Sequence, residues 1–511
     1  MLKKSLLSQL NTVYICLMVV YMAIREVLPL NFLISSTAVS AAVFAVGAVL
    51  IAADLLTKRK CISGRMQDLL ILFLAVCCVS SIINMKLGIF DNIKFIATLA
   101  LQYFIFFCFT KGDSREETEK KLNAVSLTVI IVWAAVVLFC ILAYFFTIDI
   151  IVFDKGSWGI TNQGFSTEYA RLWGVLQDPN YAGGTSIFSV FASVRFILIS
   201  KKLHTRILNG LNILLQTAYI ILGGSRATLL LLIAAIAVFC TYRFLFSTEK
   251  KSAAEIIRGF GETAVSAVLA VALIFSVKAG LPYLKAYVFA PLDTNGTVAS
   301  VYSALYKASD FEFTITYSDN QTSLEGSDDG ETIPTIDSIN RTDLNKGDIS
   351  NGRFTRWQHT VEVFLNAPLF GTSPRNLAAF AKIHNPDTLL AQYSIAPHNG
   401  YLDVLAETGI AGFAVLGSAV LLAVITILRR FFREKFTPTR ALMLVTIIVL
   451  AGIAVFISDI YLLFSMNSLL FWLLLGMAYH YDAEIKANGI FNTVYSKTIG
   501  RITDRLFAKK G

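Results

Sequence analysis

Uninterrupted apolar runs recur along the whole chain, and they limit its fold more than any other feature. Most are about 16 to 25 residues long, enough for a helix to cross a hydrocarbon layer of roughly 30 Å. Helices are expected rather than barrel strands, because lipid offers the backbone no hydrogen-bond partner and the runs do not alternate in polarity. Hydrophobic residues make up 55% of the 511, which excludes an ordinary soluble domain.

The sequence therefore predicts an all-α integral membrane protein with about twelve transmembrane helices and a large, partly helical extracytoplasmic loop. The first run is kept as a transmembrane helix, because no small-residue cleavage site follows it. The predicted spans are 8–25, 32–54, 69–85, 93–109, 122–146, 181–199, 207–222, 227–246, 261–279, 409–428, 441–457 and 462–480.

Lysine and arginine are distributed unequally between the two sides. With the N-terminus inside, the six inner segments carry 21 of them, whereas the five short outer segments carry 5. This asymmetry predicts that both termini are cytoplasmic. The location expected for the protein is the inner or plasma membrane. The net charge of +9 then reflects inner loops that face anionic membrane lipids, and no nucleic-acid partner is expected.

The predicted organisation has four parts. Nine spans and an outer loop at 147–180 occupy residues 1–279, and three spans occupy 409–480. Residues 280–408 form the large outer loop, and 481–511 form a basic cytoplasmic tail. Within the large loop, residues 310–350 contain ten acidic and two basic residues, which predicts a flexible acidic insertion.

Reactive side chains gather where the large loop meets the next span, in "HNGYLDVLAETGIAG" from residue 398. Asn399 can cap a short outer helix, and Gly409 permits a bend at the membrane. His398 at this position can accept a proton from a hydroxyl near neutral pH. The alternative is an interfacial histidine that only caps the helix or forms a structural hydrogen bond.

Arginines mark three other outer positions. In "RLWGVLQDPNYAGG" Arg171 precedes a turn that contains Asn180, and in "GGSRATLLL" Arg226 interrupts a long apolar stretch. Arg226 at the interface can also extend to water without any function, and Asp-Pro-Asn can be a plain turn. "SNGRFTRWQHTVEVFLNAPLFG" predicts a helix capped by Ser350 or Asn351, with an apolar face and two arginines on one flank. That helix should end before Pro368.

Taken in order, these four motifs resemble the bacterial O-antigen ligase and O-antigen or capsular polysaccharide polymerase family of membrane glycosyltransferases. The resemblance covers about residues 165 to 425. It implies a GT-C-like fold and transfer of a glycan from an undecaprenyl-diphosphate-linked oligosaccharide to a glycan acceptor hydroxyl. It also implies an extracytoplasmic active site, and neither a metal nor a nucleotide-sugar cofactor. Chain-length regulators and flippases are the protein partners that it implies, and a polymerase is favoured over a ligase.

The resemblance also implies roles for nine residues. Planar guanidinium groups can bind the departing diphosphate, and an imidazole can orient or deprotonate the attacking hydroxyl. The catalytic residues implied are His398, Arg226 and Arg353, and the substrate-binding residues implied are Arg171, Arg356, Asn180, Asn399, Tyr401 and Glu407.

A transporter or lipid flippase is the main alternative of another class, and a non-catalytic assembly partner is a third. Transporters usually place ionisable groups in mid-membrane, but the spans at 122–146, 207–222, 409–428 and 441–457 contain none. The polar groups lie outside instead, which favours chemistry or binding at the outer leaflet. The histidines are scattered and all seven cysteines lie in spans or an inner loop, which disfavours a metal site.

Overall fold

A computed structural model of the chain contains two compact units. Unit 1 comprises Met1–Met18, Ala38–Val125 and Ser350–Gly511, and unit 2 comprises Val19–Thr37 and Ser126–Ile349. The structure describes residues 2–34, 36–57, 60–154, 159–246, 253–292, 296–309, 312–317, 350, 352–459, 461, 465–482 and 489–497.

Helices dominate both units. In chain order they are α1 (Leu2–Glu26), α2 (Thr37–Thr57), α3 (Arg65–Ile83), α4 (Met85–Leu101), α5 (Arg115–Phe145), α6 (Pro179–Ile199), α7 (Leu203–Leu222), α8 (Arg226–Leu245), α9 (Ala253–Leu284), α10 (Thr297–Lys307), α11 (Arg353–Leu365), α12 (Leu377–His384), α13 (Leu389–Tyr393), α14 (Gly400–Phe431), α15 (Pro438–Ile453), α16 (Met466–His480) and α17 (Ile490–Lys497). A π-helical turn, Gln102–Phe106, continues α4.

Nine helices in the described ranges are long and apolar enough to cross a membrane. The predicted number was about twelve, and the other three predicted spans are occupied by α7, α15 and α16. The last two have only 16 and 15 residues, short for a single crossing of roughly 30 Å. The apolar pattern therefore located the helices, but it did not fix how many of them span.

A four-stranded antiparallel sheet lies in unit 2, in segments for which the sequence analysis expected only loops. Its strands are β1 (Ile148–Asp154), β2 (Gly159–Ser166), β3 (Arg171–Gly174) and β4 (Glu312–Tyr317), in the order β3-β2-β1-β4. In β1 the side chains of Ile148, Ile150 and Val152 are fully buried, whereas Phe153 is 40% exposed. Alternation of this kind is the signature of a strand with one buried face.

The core of unit 1 is built on buried aromatic side chains. The ring of Tyr103 lies 4.8 Å from that of Trp472 and 6.3 Å from that of Phe73, in both cases edge to face. Gly476 lets α16 approach the preceding π-turn, because a Cβ there would lie 2.1 Å from the Phe107 carbonyl oxygen. This contact fixes α16 against the end of α4.

A backbone exchange at a kink joins α14 to the segment that follows α11. Gly409 interrupts α14 with φ 65° and ψ −173°. The interruption leaves amide groups without helical partners, and two of these donate to the preceding loop. Ile410 N donates to Pro368 O at 2.8 Å, and Ala411 N donates to Leu369 O at 3.1 Å. The predicted bend at Gly409 is thus confirmed, and it is also a docking point for α11.

The predicted helix after residue 350 is α11, which ends at Leu365 and so stops before Pro368 as expected. Its N-cap is Gly352 in a left-handed conformation, and of the two predicted caps Ser350 still accepts a hydrogen bond at Oγ from Phe354 N at 3.4 Å, whereas Asn351 lies outside the described residues. A left-handed N-terminal residue suits glycine, which has no Cβ to clash. Most of the predicted acidic insertion at 310–350 lies outside the described residues, as does most of the basic tail, although β4 and α17 are described.

We expect Gly409→Ala to destabilise the protein by about 1–3 kcal/mol, because it forces an L-residue into a left-handed backbone. In addition, the new Cβ would lie 2.3 Å from Leu369 O. Gly417→Ala, in the same helix and with open space around it, is the matched control. Melting temperatures in detergent should fall for the first variant and stay level or rise for the second; equal values would contradict the proposed strain.

Candidate active site

The N-terminus of α14 is fixed by hydrogen bonds on both sides. Asn399 is the N-cap, and its Oδ1 accepts from Tyr401 N at 3.0 Å and Leu402 N at 3.1 Å. Gly400 N donates to Ala454 O at 2.7 Å and to Ile457 O at 3.0 Å, in the turn that follows α15. Capping by Asn399 is as predicted, and this contact gives Asn399 a structural role beside the substrate-binding role expected for it.

His398 precedes this cap in a strained conformation. Its φ is 55°, in the left-handed region that non-glycine residues rarely occupy. Burial, then the charges of Arg356 and Arg353, lower its pKa from 6.5 to about 4. The imidazole is therefore neutral at pH 7 and can accept a proton. No hydrogen bond from its ring is present among the described residues, so the ring is available to a ligand.

Two arginines on α11 supply the charge next to this ring. The guanidinium of Arg353 lies 5.9 Å from the ring centre of Phe456, in the same turn that receives Gly400 N. Arg356 is half-buried, and burial lowers its pKa, although an arginine stays protonated at neutral pH. We call Arg353, Arg356 and His398 the imidazole–guanidinium cluster. The sequence predicted all three residues, and unit 1 brings them together.

An apolar groove of about 290 Å³ is lined at one end by Tyr401, three residues after His398. At its head Tyr401 donates its hydroxyl to Ala451 O at 2.9 Å, and its ring lies 5.2 Å from that of Tyr461. Tyr401 therefore shapes the groove with its ring, while its hydroxyl is already engaged. The groove is lined by Tyr401, Val404, Phe413, Leu416, Gly417, Val420, Leu421, Val424 and Tyr461.

Glu407, predicted to bind substrate, faces a different neighbour. Its Oε2 accepts a hydrogen bond from Arg375 N at 3.0 Å, and the side chain is buried. It thus holds the loop at 371–376, which we call the strained loop because Ser373 and Arg375 have φ values of 72° and 70°. Arg375 is exposed, and the sequence did not predict it as a site residue, because a single arginine in a turn belongs to no recognisable pattern.

In unit 2, Arg171 and Asn180 meet at the turn before α8. Arg171 is buried, and its Nε donates to Gly223 O at 3.0 Å while Nη2 donates to Asn180 Oδ1 at 3.3 Å. The guanidinium also lies 4.7 Å from the ring centre of Trp173. Arg226 is exposed at the first position of α8, directly after the N-cap Ser225. A cation at a helix N-terminus is unfavourable for the helix dipole.

Two other histidines on the predicted outer side have structural contacts. His359 Nδ1 accepts from Leu389 N at 3.1 Å, and His384 stacks on Phe380 with ring centres 4.2 Å apart. Within the described ranges, no group of three or more His, Cys, Asp or Glu side chains could hold a metal ion.

Residues 211–417 match the protein family model described as O-antigen ligase. The matched range contains Arg226, Arg353, Arg356, His398 and Glu407, but neither Arg171 nor Asn180. The resemblance found in the motifs is thereby confirmed for this range. No curated protein matches the chain.

We expect the His398 ring to titrate near pH 4 rather than near 6.5. Arg356→Gln should raise its midpoint, because removal of a nearby positive charge favours the protonated ring, while burial still keeps the midpoint below 6.5. NMR titration of protein with labelled histidine, assigned by comparison with His398→Gln, measures both values. A midpoint near 6.5 that Arg356→Gln does not move would contradict this arrangement.

Proposed function

We propose that this chain is a polysaccharide polymerase. The match of residues 211–417 to the O-antigen ligase family model, together with the apolar helices, supports a membrane glycan-processing enzyme. It transfers a glycan from an undecaprenyl-diphosphate-linked donor to the hydroxyl of a carrier-linked acceptor at the outer membrane face, without a metal. The observation that carries this proposal is the imidazole–guanidinium cluster, whose His398 precedes by three residues the Tyr401 that lines an apolar groove.

The groove supports a lipid-linked donor. Its lining residues on α14 extend from Tyr401, across the kink at Gly409, to Val424, and all of them are apolar or aromatic except for the Tyr401 hydroxyl. An isoprenoid chain is apolar and flexible, and it can fill such a groove. The carrier diphosphate, at the head of that chain, then lies at the level of the cluster.

Arg353 and Arg356 are proposed to bind the donor diphosphate. Breaking the bond between the anomeric carbon and the diphosphate oxygen leaves the electron pair on that oxygen, so negative charge develops there. Guanidinium groups can bind it through two parallel hydrogen bonds and stabilise the transition state more than the ground state. Half-burial of Arg356 strengthens this attraction, because fewer waters screen it.

His398 is proposed to accept the proton of the attacking hydroxyl. The hydroxyl oxygen forms the new bond to the anomeric carbon as the diphosphate departs, and its proton passes to the neutral ring. An anionic diphosphate nearby raises the pKa of the imidazole, so the ring becomes a better base once the donor is bound. A general base of this kind contributes about 10²–10⁴ to the rate.

For Arg226 we also propose a role in binding the carrier diphosphate. Its exposure at the positive end of α8 supports this role, because a cation there is accessible to an anionic ligand. Arg171 and Asn180 hold the preceding turn and are proposed to position Arg226. Membrane lipids surround the protein, and a chain-length regulator or flippase remains a proposed partner.

We expect His398→Ala to lower the transfer rate by about 10²–10⁴ through loss of the base. Arg353→Gln and Arg226→Gln should each lower it through weaker diphosphate binding. Purified full-length protein in nanodiscs is given carrier-linked repeat units as the sole glycan, and product length is followed on gels. His384→Gln, an exposed histidine on α12, is the matched control. Full activity of both arginine variants and His398→Ala would refute an enzymatic role for these residues, and a requirement for a different terminal acceptor would indicate a ligase.

Filling the groove should weaken donor binding selectively. Gly417→Phe places a ring in open space on the groove wall, so we expect a higher KM for the long-chain donor. Donors with a short isoprenoid chain should be affected less, since they do not extend along α14. Gly280→Phe, also in open space but on α9, is the control. An equal effect on long-chain and short-chain donors would contradict the proposal that the groove binds the isoprenoid chain.

A further inference from the structure

We propose that Arg375 binds the diphosphate of a second lipid-linked ligand, the carrier-linked acceptor, at a position separate from the imidazole–guanidinium cluster. The inference rests on the proposed function, because a polymerase of this kind must hold two carrier diphosphates at once. Arg375 was not among the residues that the motifs indicated.

The backbone at Arg375 is strained, and a glycine at this position would avoid the strain. Its φ of 70° lies in the left-handed region, as does that of Ser373 at 72°. Glycine occupies this region without a steric penalty, whereas an arginine there carries a cost. Strained non-glycine residues cluster at ligand sites, where the surrounding structure holds them in place.

Hydrogen bonds to α14 hold the strained loop in place. Arg375 N donates to Glu407 Oε2 at 3.0 Å, and Thr372 N donates to Ala406 O at 2.9 Å. Thr372 and Ser373 are fully buried, whereas Arg375 is exposed. The loop therefore presents one charged side chain from an otherwise buried, hydrogen-bonded segment.

The guanidinium of Arg375 is available to an anion. It makes no hydrogen bond or ion pair with any residue that the structure describes. Asp403 and Glu407 are the acidic groups on which its charge acts, and both are buried beneath the loop. Glu407 already accepts the Arg375 amide. A phosphate is the ligand that an open, planar guanidinium suits best, since it can accept two parallel hydrogen bonds.

The neighbourhood of Arg375 also fits a ligand with a lipid tail. Its partner Glu407 lies two residues before the kink, where Leu369 and Ile410, which do not line the groove, are 60% and 55% exposed. Glu407 lies eight positions after the N-cap Asn399, about 12 Å along α14. Arg375 thus offers a cation beside exposed apolar side chains, distinct from the position that the donor diphosphate is proposed to occupy.

Counting bound diphosphates tests this inference. Full-length protein in nanodiscs of neutral lipid is titrated with labelled undecaprenyl diphosphate, and we expect two bound per chain. Arg375→Gln should weaken one site at least about ten-fold, and the double variant Arg353→Gln/Arg356→Gln should weaken the other. Lys382→Gln, an exposed cation on α12, should keep both.

The outcomes separate the two proposals. One site in the wild type, unchanged by Arg375→Gln, overturns the role of Arg375 alone, whereas failure of the Arg353/Arg356 pair to affect binding contradicts the proposed function. Displacement of the Arg375-dependent ligand by equimolar phosphatidylglycerol would make that position a phospholipid anchor and overturn the inference.

A second measurement distinguishes binding from a structural role. Arg375→Gly relieves the left-handed strain, so its melting temperature should be no lower than that of the wild type while the second site is lost. If the arginine serves only to neutralise the buried carboxylates, Arg375→Gly should instead melt several degrees lower, which would overturn the inference.

Discussion

The candidate site in unit 1 depends on one interruption in one helix. Where Gly409 kinks α14, the freed amides of Ile410 and Ala411 are satisfied by Pro368 and Leu369, which follow α11. Lipid offers a backbone amide no acceptor, so in a membrane-spanning helix the freed amides need acceptors within the protein. It links the helix that carries Arg353 and Arg356 to the helix that begins beside His398. The geometry of the cluster follows from a requirement of the backbone.

The electrostatics of the cluster follow from that placement. Burial of the imidazole, and then the two permanent cations beside it, lower its pKa and keep it unprotonated, so the cluster holds both a proton acceptor and anion-binding groups at one pH. A histidine near its ordinary pKa would be partly charged at neutral pH and would act partly as a third cation. At neutral pH the imidazole can therefore act as a proton acceptor, while the guanidinium groups can bind an anion.

The sequence predicted those features that depend on local residue type or on the periodicity of apolar residues. The cap at Asn399, the bend at Gly409 and the end of α11 were all predicted, because each depends on local residue types. The sheet was not, although the alternation in "IDIIVFD" could have indicated a strand, since its partner β4 is distant in the chain. Arg375 was missed for a related reason: its importance lies in a backbone conformation and a long-range bond to Glu407. Such contacts between distant segments are not visible in a local pattern.

The pairing of β1 with β4 has a consequence for biogenesis. Ile148 pairs with Tyr317, 169 residues later, and α6 to α9 lie between them in the chain. During synthesis the edge of β1 that pairs with β4 stays unpaired until α6 to α9 have been synthesised. Closing so long a loop is entropically slow. Pairing of β4 with β1 is therefore expected to be a late step in the folding of unit 2. A nascent chain truncated before residue 312 would leave the edge of β1 unpaired, and quality-control proteases could recognise it.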